Sequence, residues 1–60
     1  MKKITVIFVI VDDLTDDVTT IEGDYITTKA KIMLLAGSHY VTVYDKDKNY
    51  IEAFWVENLG

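Results

Sequence analysis

The stretch Ile4-Thr5-Val6-Ile7-Phe8-Val9-Ile10-Val11 decides the fold. Every residue in it except Phe8 is β-branched, and every one except Thr5 is apolar. Side chains branched at Cβ are stiff and pack well on a pleated surface, so the run reads as a strand. Apolar residues at successive positions, rather than alternate ones, mean that both faces of that strand want cover. Eight residues are far too few to cross a bilayer as a helix, which takes about 20. Lys2-Lys3 ahead of the run gives it the outline of a signal peptide. Asp12-Asp13 follows at once, however, with no small-residue cleavage site, and a buried strand over residues 3–11 is the better reading.

Next comes a block of acids: Asp12, Asp13, Asp16, Asp17, Glu22 and Asp24, uninterrupted by Lys or Arg. The six bases lie elsewhere, at Lys2, Lys3, Lys29, Lys31, Lys46 and Lys48. A like-charge block repels itself and stays solvated unless a partner neutralises it. Within residues 12–23, Leu14, Val18 and Ile21 recur at helical spacing, with Thr15 as a cap. The consecutive β-branched residues Val18-Thr19-Thr20-Ile21 argue instead for a loop running into a short strand, closed by a turn at Gly23-Asp24.

Tyr25–Ala36 alternates, with Ile26, Thr28, Ala30, Ile32, Leu34 and Ala36 on one side, which predicts a further strand. Its rival is a helix near residues 28–36, stopped at Gly37. The segments 39–44 and 50–56 flank the turn-prone Asp45-Lys46-Asp47-Lys48-Asn49 and read as a hairpin. Placing Tyr44 opposite Tyr50 pairs Val43 with Ile51, Val41 with Ala53 and His39 with Trp55 on a core face. The other face then carries an aromatic ladder of Tyr40, Tyr44, Tyr50 and Phe54. The expected core is Ile4, Val6, Phe8, Ile10, Ile32, Leu34, Val41, Val43 and Ile51.

The element order and the ending Asn49-Tyr50-Ile51-Glu52-Ala53-Phe54-Trp55-Val56 resemble an SH3-like small barrel, whose ending runs Gly-Tyr-Ile-Pro-Ser-Asn-Tyr-Val. Asp12–Asp24 stands where that family places its acidic RT loop. The resemblance implies an all-β, five-stranded SH3-like barrel spanning residues 1–60 as one domain, with an α+β fold as the alternative should the helix form. It does not carry over the polyproline groove. The first strand lacks the family's Ala-Leu-Tyr-Asp-Tyr aromatics, His39 or Tyr40 replaces the ligand-contacting Trp, and Glu52 replaces the groove Pro. Trp55 alone keeps an aromatic at the place of the final Tyr.

Composition narrows the function. The chain has 60 residues, no Cys and one His, so it has neither a disulfide framework nor a zinc site of ordinary composition. The acids lack the Asp-x-Asp-x-Asp-Gly rhythm of a calcium loop. Ser38-His39 has no orienting third group and no oxyanion hole, and no Gly-rich phosphate cradle exists. The expectation is therefore binding rather than catalysis, with no cofactor and no metal. A net charge of −4 opposes binding to duplex nucleic acid. It points to a basic protein partner in a cytoplasmic setting, away from membranes. The expected contact residues are Asp12, Asp13, Asp16 and Asp17 of the acid block, with Tyr40, Tyr44, Tyr50, Phe54 and Trp55. The chain reads as a small acidic protein-interaction module, in the style of a phage or mobile-element inhibitor of a basic nucleic-acid-processing protein. One alternative is a self-assembling structural protein, a homo-oligomer built through the aromatic face. Another is a single-stranded nucleic-acid binder using Lys29, Lys31, Lys46, Lys48 and the aromatic ladder as a stacking platform.

Overall fold

A computed structural model describes residues 4–59. The decisive run forms β1, Thr5–Asp12, and the chain then turns tightly into β2, Val18–Asp24. The expected start of the first strand at residue 3 lies outside the described residues, and Ile4 precedes the strand with 64% of its surface exposed. A helix, α1, runs over Tyr25–Ile32, and β3, Gly37–Tyr44, and β4, Tyr50–Asn58, form the expected hairpin. The four strands make one antiparallel sheet in the order β2-β1-β3-β4. The fold is mostly β, as the sequence suggests, but the sheet is open and four-stranded rather than a closed five-stranded barrel.

The barrel fails because residues 25–36 are not a strand. Asp24 caps the helix, its carboxylate accepting from the Thr27 backbone N–H at 2.9 Å. Tyr25, Thr28, Lys29 and Ile32 then turn toward the sheet, spaced as i, i+3, i+4 and i+7. The period of two that suggested a strand coexists with this period of 3.6, and capping decides between them. Helix and strand approach closely at Gly23, where a Cβ would lie 2.5 Å from the Thr28 hydroxyl oxygen. A larger residue there would force the Thr28 hydroxyl to move. At the far end Gly37, with φ +96°, opens β3 in a conformation that L side chains rarely adopt.

The core is Val6, Phe8, Ile10, Ile32, Val41, Val43 and Val56. Leu34 and Ile51, expected inside, are 82% and 44% exposed. Leu34 lies in the turn after the helix, where Leu34 N–H and Leu35 N–H close short bonds to the carbonyls of Lys31 and Ile32. Ile51 is displaced by a register shift. Tyr44 does face Tyr50, but Val43 faces Glu52, so Ile51 is an extra residue in β4, a β-bulge. From there on the pairs are Thr42 with Ala53, Val41 with Phe54, Tyr40 with Trp55 and His39 with Val56. A one-residue slip moves every later side chain to the other face. Phe54 thus leaves the expected ladder for the helix side, and Trp55 takes its place beside Tyr40.

Candidate interaction surface

Alternation along β1 sends Val6, Phe8 and Ile10 under α1 and Thr5, Ile7, Val9 and Val11 to the opposite side. Among the described residues, that opposite side has no second layer. The pairing registers build three rows across it: Val18-Val11-Tyr40-Trp55, then Thr20-Val9-Thr42-Ala53, then Glu22-Ile7-Tyr44-Tyr50. None of these twelve residues is buried. The Tyr40 and Trp55 rings meet at 5.1 Å between centroids, tilted by 59°, which fixes both at one end of the face. At the other end Ile7, Val9, Thr20, Tyr44 and Lys48 line a shallow hollow of about 360 Å³.

Charge borders this apolar surface. Glu22 and Asp24 lie at its β2 side, and Glu57, paired with Ser38, lies beyond Trp55 on β4. Among the described residues Lys48 is the cation that lines the hollow. The molecule is flat, 34 × 21 × 15 Å, about one sheet and one helix thick. Its accessible surface of 4489 Å² exceeds the roughly 4,000 Å² that size scaling gives a folded monomer of this mass. Domains ordinarily bury both faces of so apolar a sheet against another layer.

The acid block is split by the structure. Asp12 ends β1, and its Oδ1 accepts from the backbone N–H groups of Leu14, at 2.8 Å, and Thr15, at 3.0 Å. Those bonds, Thr15's first, hold its carboxyl below the usual carboxylate range, with His39 adding a smaller pull. Asp12 is therefore a turn-forming residue. Asp13, Asp16 and Asp17 are exposed or nearly so, and Asp16 takes a positive φ of 62° that lets the turn close. His39 does not pack beside Trp55 as expected. It sits on the helix side, its Nε2–H donating to the Ala36 carbonyl at 2.9 Å, with Nδ1 3.9 Å from the Asp12 carboxylate.

Phe54 is half-buried, and the Lys29 ammonium lies 4.8 Å from its ring centroid. The same ammonium donates to Glu52 at 2.9 Å and to the Tyr25 hydroxyl at 3.1 Å, while that hydroxyl donates to Glu52 at 2.7 Å. Lys29 and Tyr25, in that order, lower the Glu52 carboxyl, and Glu52 followed by Tyr25 raises the Lys29 ammonium. This cluster clamps the helix to β4. It also places Lys29 on the side of the sheet away from Tyr40 and Trp55.

Of the expected contact residues, then, Tyr40, Tyr44, Tyr50 and Trp55 share the open face, Phe54 does not, and the acids stand apart at one end. Ile7, Val9 and Val11, which are not among the expected contact residues, lie half-buried on the same face. The signal was available, since a strand apolar on both sides must present one side to whatever cover the chain provides. No group of three or more metal-ligating side chains occurs among the described residues, and no helix there is long and apolar enough to cross a membrane. No protein family, curated relative or solved structure matches this chain.

Proposed function

We propose that this chain is a small acidic protein-interaction module that binds through the open face of its sheet. The observation that carries the reading is an apolar face of three cross-strand rows bordered by Glu22, Asp24 and Glu57. An exposed apolar patch rimmed by polar groups is the ordinary form of a protein-binding surface. Tyr40, Tyr44 and Trp55 are the residue types that dominate hot spots. The acidic border selects a partner with Lys or Arg around an apolar centre, and steers its approach. A protein whose own ligand is a polyanion fits that chemistry. Stacking of two open faces brings acidic borders together, which disfavours self-assembly by that route. The nucleic-acid reading loses Lys29, which pairs with Glu52 on the helix side, and keeps Lys48 beside Tyr44 among the described residues.

Trp55 is the only tryptophan and lies on the proposed surface, so its fluorescence reports binding directly. The probe is a synthetic amphipathic peptide of Leu and Lys, with a Leu and Glu peptide and oligo-dT as comparisons. The Leu/Lys peptide is expected to shift the emission, less so as salt rises, and the Val9→Lys variant to abolish the shift. Equal responses to the two peptides would overturn the charge-selective reading. A response to oligo-dT alone would install the stacking-platform alternative.

A further inference from the structure

The two edges of the sheet are not alike. At β4 the bulge at Ile51 interrupts the edge, and the Asn58 side-chain amide turns back to donate to the carbonyls of Met33 and Leu35, both at 2.8 Å. Bulges of this kind blunt an edge against pairing. At β2 the seven residues Val18–Asp24 pair with β1 without a break. They include no Lys, no Pro and no bulge, and Val18-Thr19-Thr20-Ile21 are all β-branched. An edge so regular and so well suited to the pleat is a template for another strand.

The direction of its backbone groups follows from two bonds. Asp12 N–H donates to Asp17 O at 2.9 Å, and Tyr25 N–H donates to Ile4 O at 2.8 Å. Both pairs lie on the β1–β2 register. In an antiparallel ladder, bonded and non-bonded pairs alternate. Thr19, Ile21 and Gly23 therefore turn their N–H and C=O groups toward β1, while Val18, Thr20 and Glu22 turn theirs outward. The side chain of Ile21 lies on the helix side, where it borders a hollow with Thr28, Lys31, Ile32 and Leu35.

We infer that β2 pairs antiparallel with β2 of a second copy of this chain, with Ile21 on the two-fold axis, giving a continuous eight-stranded sheet. Three registers compete. An axis at Glu22 sets two carboxylates directly opposite each other, which is destabilising. An axis at Thr20 shortens the overlap. Ile21 is the midpoint of the strand, so an axis there uses all seven residues. Thr20 then exchanges backbone bonds with Glu22 of the second copy, and Glu22 with its Thr20. Ile21 meets its counterpart at a non-bonded position, extending the apolar strip that Leu35 continues. Lys31 borders the same hollow as Ile21 on the helix side and so brings a cation near each side of the axis. The pairing is isologous and closes after two copies, because the other edge is guarded. It rests on the sheet edge rather than on the open face, and it would join two open faces into one longer surface with Glu22 and Asp24 near its middle.

The test is sedimentation equilibrium of the intact chain with three variants. The wild type is expected to be a monomer–dimer system whose association strengthens with salt, since each copy carries a net charge of −4. Thr20→Pro removes an outward N–H that β1 does not use. It is expected to weaken the dimer about tenfold or more while the strand signature in circular dichroism persists. Ile21→Cys is expected to form an interchain disulfide under mild oxidation, and Thr19→Cys, which faces Gly23 of the second copy, is not. A wild type that stays monomeric at hundreds of micromolar would overturn the inference. So would a folded Thr20→Pro variant that dimerises as before, or a Thr19→Cys variant that links as readily as Ile21→Cys. Val9→Lys is expected to leave the dimer intact. If it dissolves the dimer and Thr20→Pro does not, the copies join through their open faces and the edge pairing is wrong.

Discussion

The two faces of β1 are made of nearly the same residues and live in opposite surroundings. Val6, Phe8 and Ile10 are 1%, 0% and 5% exposed beneath α1, whereas Ile7, Val9 and Val11 between them are only half-buried. Chemistry does not distinguish the two sets, since both are β-branched or aromatic hydrocarbons. What differs is supply. The described residues supply one helix to lay on the sheet and two apolar faces to cover. The helix goes to the side where Phe8 projects and where Tyr25, Lys29 and Glu52 can lock it. An apolar strand in a small chain thus says that two layers are wanted, and the side left uncovered among the described residues is the one on which the proposed binding rests.

The sharpest way to break this comparison is to truncate one residue on each side. Phe8→Ala removes a fully buried ring in contact with Tyr25, whose ring centroid is 6.3 Å away, and should cost about 3–5 kcal/mol. A domain of this size holds no more than roughly that much stability, so the variant should be largely unfolded at room temperature. Val9→Ala removes less apolar area from a site that is already wet, and should cost about 1 kcal/mol or less. Urea denaturation of both variants checks the pair. Similar losses would mean that the open face is covered in solution by the chain itself.

Trp55→Ala sharpens the same contrast from the functional side. Trp55 is 55% exposed and rests on Tyr40, so its loss should change stability by about 1 kcal/mol or less. As a hot-spot ring it should carry about 2 kcal/mol or more of binding to the Leu/Lys peptide, a loss near thirtyfold. Calorimetry measures that binding without the lost fluorophore. A variant that melts early yet binds normally would place Trp55 among the structural residues and empty the proposed surface of its anchor.

How much of this could be seen in the chain differs element by element, for physical reasons. The run Ile4–Val11 announced a strand with two apolar faces because β-branching and continuity agree there. The hairpin was legible from its turn residues, and Tyr44 does face Tyr50. Its later register was not legible, because a bulge at Ile51 leaves no mark that differs from ordinary alternation, and that one residue moved Phe54 inward and Trp55 outward. Tyr25–Ile32 satisfies both periods at once, so its alternation points to a strand and leaves the helix as the rival. Asp24 as a cap, with Thr27 three residues on, was the signal that favoured the helix. In the acid block, charge was visible from the composition, while the bonds Asp12 makes to Leu14 and Thr15 depend on where the strand ends and could not be.

On the helix side, the clamp gives stability a pH dependence whose sign follows from its shifts. The Glu52 carboxyl is lowered by Lys29 and Tyr25, so its contribution is fully present above the unfolded carboxylate value of 4.5 and is lost as pH falls through the folded one. The Lys29 ammonium is raised by Glu52, so its contribution is present below 10.5 and is lost as pH rises through the higher folded value. Both side chains remain about a third exposed, at 32% each, so screening keeps the pair near 0.5–1 kcal/mol. Glu52→Gln should lower the melting temperature by a few degrees at neutral pH, and the difference from wild type should shrink below about pH 4. A gap that stays constant down to low pH would mean the clamp contributes through packing alone.

The smallest effect on stability is expected in the turn between β1 and β2, and it separates two kinds of aspartate. Asp12→Asn keeps an oxygen that can accept from Leu14 and Thr15 but loses the charge that strengthens those bonds, so a modest fall in melting temperature is expected. Asp13, Asp16 and Asp17 changed together to Asn should leave the melting temperature unchanged or slightly higher. Repulsion within the turn is relieved, and Asn suits the positive φ of Asp16 as well as Asp does. Their effect should fall on encounter instead. They stand off the apolar rows, so on the proposed reading they should attract a basic partner at a distance without touching it once it has docked. Association with the Leu/Lys peptide should therefore slow severalfold at low salt, with dissociation nearly unchanged, and the difference should vanish at high salt. Stopped-flow fluorescence of Trp55 measures both rates. A faster dissociation with an unaltered on-rate would bring the turn into contact with the partner and extend the binding surface past the end of the sheet. No change in either rate would leave Glu22, Asp24 and Glu57 as the whole of the electrostatic border.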